Sequence, residues 1–188
     1  MSIDEIFSKM ASHMIEGMMV HEQLMNAYLF LNLSGYAACH EHHYLSETKG
    51  YIRLCHYKAE HLNSLIQSTF TSKNTPDIIP SSWFTSSREQ VNASTRKQAM
   101  ETALDTWINW EEETKTLYEG FYTELLNTDH VAEAEFVKGY ILDVEDEIVY
   151  ARNEKILKTA MAFDIVSILE EQNKVMKFFK DKIKKDAK

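Results

Sequence analysis

The chain has 188 residues, 44% of them hydrophobic and 26% charged, with a formal net charge of -9 at pH 7. This length and apolar content suit a single domain spanning residues 1–188, and the acidic balance argues against a nucleic-acid partner. No apolar run reaches the roughly 18 residues of a membrane helix, no secretory signal pattern is found, and only two cysteines occur, so we expect a protein of the reducing cytoplasm with no membrane contact.

The first part of the chain predicts two paired helices. Apolar residues at helical spacing predict helix A from about residue 3 to residue 39. Ser46 is a candidate cap for helix B, which is predicted over about 46–72. The polar residues 40–45 between them are expected to form a short turn, so the two helices should pack antiparallel.

The rest of the chain predicts three more helices after a long connection. Residues 73–95 are rich in Ser, Thr and Asn and contain both prolines, so they are expected to form a crossover. Helical spacing and caps then predict helix C over about 96–126, helix D over about 130–161 and helix E over about 165–183. Short, long and short connections predict an all-α four-helix bundle with one long crossover and a C-terminal fifth helix.

Two segments resemble the first two helices of animal ferritins. The segment QLMNAYLFLNLSGY, residues 23–36, is similar to the ligand-bearing part of the ferritin first helix. The segment CHYKAEHLNSL, residues 55–65, is similar to that of the second helix, and the two blocks align with no gap between them. The resemblance implies a ferritin-like bundle, a role in iron storage or iron binding, and assembly into a homo-oligomer such as a cage.

Carried over residue by residue, the resemblance places the family's ligands on positions that have mostly changed. These positions are Gln23, Lys58, His61, Glu111, Asp143 and Val144. Only His61, Glu111 and Asp143 keep a side chain that binds metal. A di-iron centre needs carboxylates that neutralise its positive charge, whereas Lys58 adds another positive charge.

Lys58 therefore predicts a lost ferroxidase centre. If Lys58 and Glu111 face each other, they form an ion pair in place of the metal, an arrangement that resembles light-chain ferritin subunits. The leading hypothesis is an iron-storage or iron-binding subunit that is not an efficient ferroxidase and that co-assembles with an active ferritin subunit. Iron is the expected metal, without a complete di-iron site.

Two alternatives remain open. Sliding helix B by two residues rebuilds a four-carboxylate site and predicts an active di-iron ferroxidase or oxidase. Its ligands would be Glu22, Glu60, Glu111 and either Asp146 or Glu147. The other alternative is a ferritin-like bundle without metal that serves as a structural or interaction protein.

Other candidate residues have a simpler interpretation. A histidine-rich set falls in the predicted turn: His40, Glu41, His42 and His43. We expect these side chains to be solvated and to bind metal only adventitiously. His56 and Glu60, four residues apart, are expected to form a surface hydrogen-bonded pair. By the ferritin resemblance Glu135 fits an ion-channel position, although an acid there also stabilises the helix dipole.

Overall fold

The computed structural model of the protein describes residues 1–66 and 92–186. Within these ranges the chain forms five α-helices and no strand. They are α1 (Ile3–Phe30), α2 (Ser34–His61), α3 (Ala93–Asn127), α4 (Val131–Ala160) and α5 (Ile165–Asp186). The all-α class and the C-terminal fifth helix expected from the sequence are thus confirmed. None of the helices in the described ranges is long and apolar enough to cross a membrane.

The first break between helices lies earlier in the chain than the sequence pattern predicts. The helix expected over 3–39 ends at Phe30, and α2 begins at Ser34. Asn32 allows the reversal because it adopts a left-handed backbone with a φ of 63°, which Asn tolerates better than most residues. The turn expected at 40–45 is part of α2 instead, because two of its histidines face the bundle core.

The second helix also ends earlier than expected. It stops at His61, whereas the pattern predicts an end at about residue 72. Asn63 follows with a left-handed φ of 48° and turns the chain away from the helix axis. Residues 67–72 of the predicted helix and residues 73–91 of the predicted crossover lie outside the described residues.

The three C-terminal helices begin and end within a few residues of the predicted bounds. Asn92 caps α3 by accepting a hydrogen bond of 3.0 Å from the backbone N–H of Thr95. Asp129, with a φ of 61°, makes the tight turn between α3 and α4. Asp164 accepts a 2.9 Å hydrogen bond from the Ser167 backbone at the start of α5. Asn and Asp favour such caps and turns, so these bounds follow from local sequence.

A layer of polar side chains divides the core. Helix α1 packs on α2, α3 packs on α4, and α5 packs on α2. Buried apolar side chains form two clusters, one containing Phe7 and Tyr118 and the other containing Leu24 and Trp107. On α1, Gly17 lies between Met14 of the first cluster and Val20 of the second, and His21 is buried beside Val20. On α3, the buried Glu111 and Thr114 lie between the two clusters. The candidate site lies in this layer.

A close backbone contact fixes α5 against α2. A Cβ at Gly35 would lie 2.1 Å from the backbone oxygen of Gln172, so only glycine permits this approach. Beside it, Tyr36 donates a 3.0 Å hydrogen bond to Glu171. The buried Lys158 ammonium binds the same carboxylate. Helix α5 is therefore joined to the bundle by packing and by a charged network.

Candidate metal centre

Six polar side chains meet in the layer at the centre of the bundle. They are His21 from α1, His40, His43 and Glu47 from α2, Glu111 from α3, and Glu147 from α4. The three residues from α2 are spaced by three and four positions, so they lie on one face of the helix. His21, His40 and Glu111 are each at most 1% exposed. All four bundle helices thus contribute a polar group to one buried place.

Three of these side chains converge closely enough to hold one metal ion. One ligand atom each of His21, Glu111 and Glu147 lies within 4.8 Å of the others. His21 Nε2 is 3.4 Å from Glu111 Oε1. His43 Nδ1 is 2.9 Å from Glu147 Oε2. Two imidazoles and two carboxylates therefore face each other across the four helices.

Further contacts orient the ligand atoms. Trp107, one turn before Glu111 on α3, donates a 3.1 Å hydrogen bond from Nε1 to Glu111 Oε1. Glu111 also shares a hydrogen bond with Glu147. His21 Nδ1 lies 3.2 Å from His40 Nδ1, which leaves His21 Nε2 directed at Glu111. Outer contacts of this kind fix the orientation of ligands in metal sites.

A third carboxylate reaches the cluster at a glycine. A Cβ at Gly17 would lie 2.7 Å from Glu47 Oε1 and 3.3 Å from the ring of Trp110. Gly17 is one turn before His21 on α1, so its missing side chain leaves room for Glu47 close to the imidazole. The cluster therefore contains three carboxylates, one from each of α2, α3 and α4.

Burial controls the protonation of the carboxyl groups. It raises the pKa of Glu47 and of Glu111 well above the ordinary value, and the negative charge of Glu147 raises both further. Burial also acts to raise the pKa of Glu147, but the neighbouring His43 and the hydrogen bond with Glu111 outweigh it, so this pKa is lowered. In the absence of metal the layer thus favours protons on Glu47 and Glu111 and a negative charge on Glu147.

Burial keeps two of the imidazoles neutral, which is the form that binds metal. It lowers the pKa of His21 to about 3 and that of His40 well below its usual range. His21 Nε2 and His43 Nε2 make no hydrogen bond with the described residues. A buried polar atom without a hydrogen bond is rare and indicates a place for a water molecule or an ion.

The donor set fits a divalent transition metal. Imidazole nitrogen suits iron, zinc, copper and nickel, whereas carboxylate oxygen suits magnesium, calcium and manganese. A mixed set of both kinds, such as His21 and His43 with Glu111 and Glu147, fits Fe²⁺, Mn²⁺ or Zn²⁺. Paired carboxylates can also bridge a second ion.

A cleft of about 160 Å³ connects the surface with the carboxylates. It runs between α2, α3 and α4, and Glu47, Glu111 and Glu147 lie along it. The side chain of Glu147 is 22% exposed, whereas Glu111 is 1% exposed. The cleft therefore gives an ion or a small molecule access to the buried groups.

The ion pair expected between Lys58 and Glu111 is not formed. Lys58 is 2% exposed, and its Nζ lies 3.1 Å from Asp4 Oδ1 at the start of α1. On α2 it comes roughly 16 Å further along the helix axis than Glu47. Glu111 faces His21 instead. The early break after α1 is the reason, because it moves Lys58 from the middle of the bundle to its end.

The other positions that the resemblance assigned to ligands do not join the cluster. His61 and Asp143 are exposed, and Gln23 is half-buried. Asp143 lies at the surface with Arg53, while Val144 is buried along the cleft. Of this set, the structure brings only Glu111 to the centre.

The alternative carboxylate set is also only partly brought together. Glu22, Glu60 and Asp146 are exposed, whereas Glu111 and Glu147 converge. His56 and Glu60 form the expected surface pair, with His56 Nδ1 3.5 Å from Glu60 Oε1. The channel candidate Glu135 is exposed and pairs with Lys138 at 3.2 Å.

Reasoning from the sequence missed His21, His43 and Glu47. His43 was assigned to a solvated turn, because the break between the first two helices was expected too late in the chain. The missed signal is the spacing within residues 34–61. Treated as one helix, this segment places His43 and Glu47 on the same buried face, next to small and apolar residues.

The fold is similar to that of a solved ferritin. That protein is a closed form of the Archaeoglobus fulgidus ferritin, engineered by site-directed mutagenesis, and the TM-score is 0.71 at 11% sequence identity. The similarity covers 94% of this chain and 96% of that chain. The chain has a ferritin-like fold. No protein-family model and no curated protein sequence matches it. At this identity the similarity concerns the fold, so any functional argument depends on the residues of the cluster.

Proposed function

We propose that the protein binds iron at the centre of its ferritin-like bundle and that this centre supports oxidation chemistry. The observation that carries the proposal is the convergence of His21, Glu111 and Glu147, whose ligand atoms lie within 4.8 Å of one another. His43 adds a second imidazole and Glu47 a third carboxylate. Inward-pointing Glu and His side chains on facing helices are the usual iron ligands of such bundles.

The surrounding residues control charge and access. When an ion binds, Glu47 and Glu111 would release the protons that burial favours, so the positive charge of the ion replaces them. Trp107 donates a hydrogen bond to Oε1 of Glu111 and thereby orients this carboxyl group, which also shares a hydrogen bond with Glu147. Bound iron would supply one-electron chemistry with oxygen, and the cleft would admit the reactants.

An active centre is favoured over a lost one because Lys58 is not part of the layer. The expected loss of ferroxidase activity depended on a lysine among the ligands, and that lysine binds Asp4 instead. The centre still differs from the usual four-carboxylate arrangement, because α1 contributes His21 and no carboxylate. We therefore propose a centre with three carboxylates and two or three imidazoles.

A second candidate function is iron storage in a homo-oligomer, which the ferritin-like fold favours. Leu142, Val149 and Ile156 are all more than half exposed on α4. They recur every seven residues and are available for contacts between copies of the chain. The two functions differ in iron capacity. A storage oligomer takes up many iron atoms per subunit, whereas an oxidation centre saturates at one or two.

The proposal is tested by titrating ferrous iron anaerobically into metal-depleted protein and then admitting oxygen. We expect one or two tightly bound iron atoms per subunit and rapid oxygen consumption. Uptake far above two per subunit in a large oligomer would support the storage function instead. No tight binding together with no uptake above two iron atoms per subunit would contradict both.

Matched variants test whether iron binds at the polar layer of the core. His21→Ala and Glu147→Gln should each weaken iron binding by more than about 100-fold, since loss of an outer contact alone costs about 10–100-fold. Glu113→Gln is the control, because Glu113 is exposed on α3 only two positions from Glu111. Equal iron binding by all these variants would place the metal elsewhere.

A further inference from the structure

We propose that the cleft beside the metal centre binds a small organic carboxylate, which Arg53 holds by its carboxylate while the carbon skeleton points towards Glu47 and Glu147. This inference names a substrate class for the proposed metal centre, and it therefore rests on the proposed function. Binding of the carboxylate can nevertheless be measured without metal.

The cleft has walls suited to a carbon skeleton. Tyr118, Tyr140 and Val144 line it together with the carboxylates. The Tyr140 hydroxyl donates a 2.9 Å hydrogen bond to the backbone oxygen of Gly50, so its polar atom is already satisfied. A ligand in the cleft would therefore contact the aromatic rings and the valine methyl groups.

Arg53 is held in a fixed orientation by Tyr140. Its Cζ lies 3.9 Å from the centre of the Tyr140 ring, and its side chain is 50% exposed. The N–H donors of a guanidinium lie in one plane, and they remain available at its edge when its face contacts an aromatic ring. Two parallel donors on that edge form a fork that matches the two oxygens of a carboxylate. Asp143 Oδ2, 3.5 Å from Arg53 Nη2, occupies one part of the fork. Arg53 also donates a hydrogen bond to the Tyr140 side chain, and the donors that neither acceptor uses can bind a carboxylate from solution.

The charge of the lining favours an anion at the outer end. Lys49 and Arg53 lie there with a single acid, Asp143. The positive charges of Lys49 and Arg53 attract an organic anion to this end of the cleft. Glu47, Glu111 and Glu147 line the cleft nearer the centre. The outer end therefore suits the carboxylate of a ligand.

The distances limit the size of the ligand. Arg53 comes six positions after Glu47 on α2, so the two residues are roughly 9 Å apart along the helix axis. The cleft volume of about 160 Å³ corresponds to about five water molecules at liquid density. A monocarboxylate with a short chain or a single ring, such as hexanoate or benzoate, matches this space.

The test is titration calorimetry of metal-depleted protein with hexanoate and benzoate, using hexanol and benzyl alcohol as uncharged matches. We expect the acids to bind at least about tenfold more tightly than the alcohols, because only they use the Arg53 fork. Arg53→Gln should remove this difference. Arg152→Gln is the control, because Arg152 forms an exposed ion pair with Glu112 outside the cleft and should behave as the wild type.

A second variant tests the location independently. Val144→Phe fills the cleft from its wall and should weaken hexanoate binding about tenfold while the folded state is verified by circular dichroism. No binding of either acid, equal binding of the alcohols, or unchanged binding by Arg53→Gln overturns the inference. Failure of the metal centre is recognised separately, since the wild type would then bind no iron whatever the calorimetry of the acids shows.

Discussion

Replacing Glu111 by Gln should stabilise the metal-free protein at neutral pH and remove its stabilisation by metal. Burial raises the pKa of the Glu111 carboxyl well above its ordinary value of 4.5, and the charges of Glu147 and Glu47 raise it further. The folded state therefore holds this proton more tightly than the unfolded chain, so the free energy of unfolding falls as the pH rises above 4.5. A glutamine is shaped like the protonated acid, keeps an acceptor for Trp107 and has no such pH dependence.

The expected size of the effect follows from proton linkage. Each pH unit between the ordinary and the raised pKa costs about 1.4 kcal/mol, which limits the gain at pH 7 to about 3 kcal/mol. In a protein of this length, about 1 kcal/mol shifts the Tm by about 2–4 °C. The Tm advantage of Glu111→Gln over the wild type should therefore be small near pH 5 and reach several degrees near pH 7.

Thermal unfolding followed by circular dichroism measures both parts of this prediction. An ion present at about 100 times its Kd stabilises the wild type by about 2.7 kcal/mol, and this increment should vanish in Glu111→Gln. Glu113→Gln should follow the wild type with and without metal. The reasoning is refuted if Glu111→Gln melts below the wild type at every pH, or if metal stabilises both proteins equally.

Trp107→Phe removes the 3.1 Å hydrogen bond to Glu111 and should weaken metal binding by about 10–100-fold in a chelator competition; unchanged affinity would show that this contact does not orient the ligand. Lys58→Met should leave metal affinity within about twofold of the wild type, because Lys58 lies roughly 16 Å from Glu47 along α2 and binds Asp4. A gain of tight iron binding in that variant would indicate that Lys58 lies at the metal centre after all. Gly35→Ala should lower the free energy of unfolding by about 1–3 kcal/mol in urea, because its Cβ would meet the Gln172 backbone oxygen at 2.1 Å. Gly120→Ala, which meets nothing within 4 Å, should instead raise it by up to about 1 kcal/mol, and equal effects of the two changes would contradict the described docking of α5.

The fold could be predicted wherever its signals are local. Asp129 and Asp164 mark a turn and a cap, and the helices that they bound were placed within a few residues. The third helix was expected from about residue 96 and begins at Ala93, because Asn92 is its cap. The turn at Asn32 was missed because the apolar pattern continues through Leu31 and Leu33 without a proline or glycine between them. A left-handed Asn is a weak signal in a sequence, since many Asn residues occur inside helices.

The candidate site could be predicted only in part, because sequence does not fix the register between helices. Glu111 and Glu147 were both among the candidates, but they were combined with residues of α1 and α2 that point elsewhere. Gln23 is two positions from His21, and two positions rotate a side chain by about 200° around the helix axis. His21 and Gln23 therefore point to different sides of α1, so the imidazole of His21 is buried whereas Gln23 is half-buried. Contacts between helices were needed to choose the correct face.

Crystals of metal-depleted protein soaked anaerobically in ferrous iron provide the most direct test of the metal centre. Anomalous diffraction recorded at the iron edge locates the bound ion independently of any functional assay. We predict an anomalous peak between His21 Nε2, Glu111 and Glu147, with His43 or Glu47 in the coordination sphere, and no peak there in crystals of Glu111→Gln. A peak confined to surface groups such as His56 and Glu60, or no peak in the layer at saturating iron, would contradict a metal centre in this bundle.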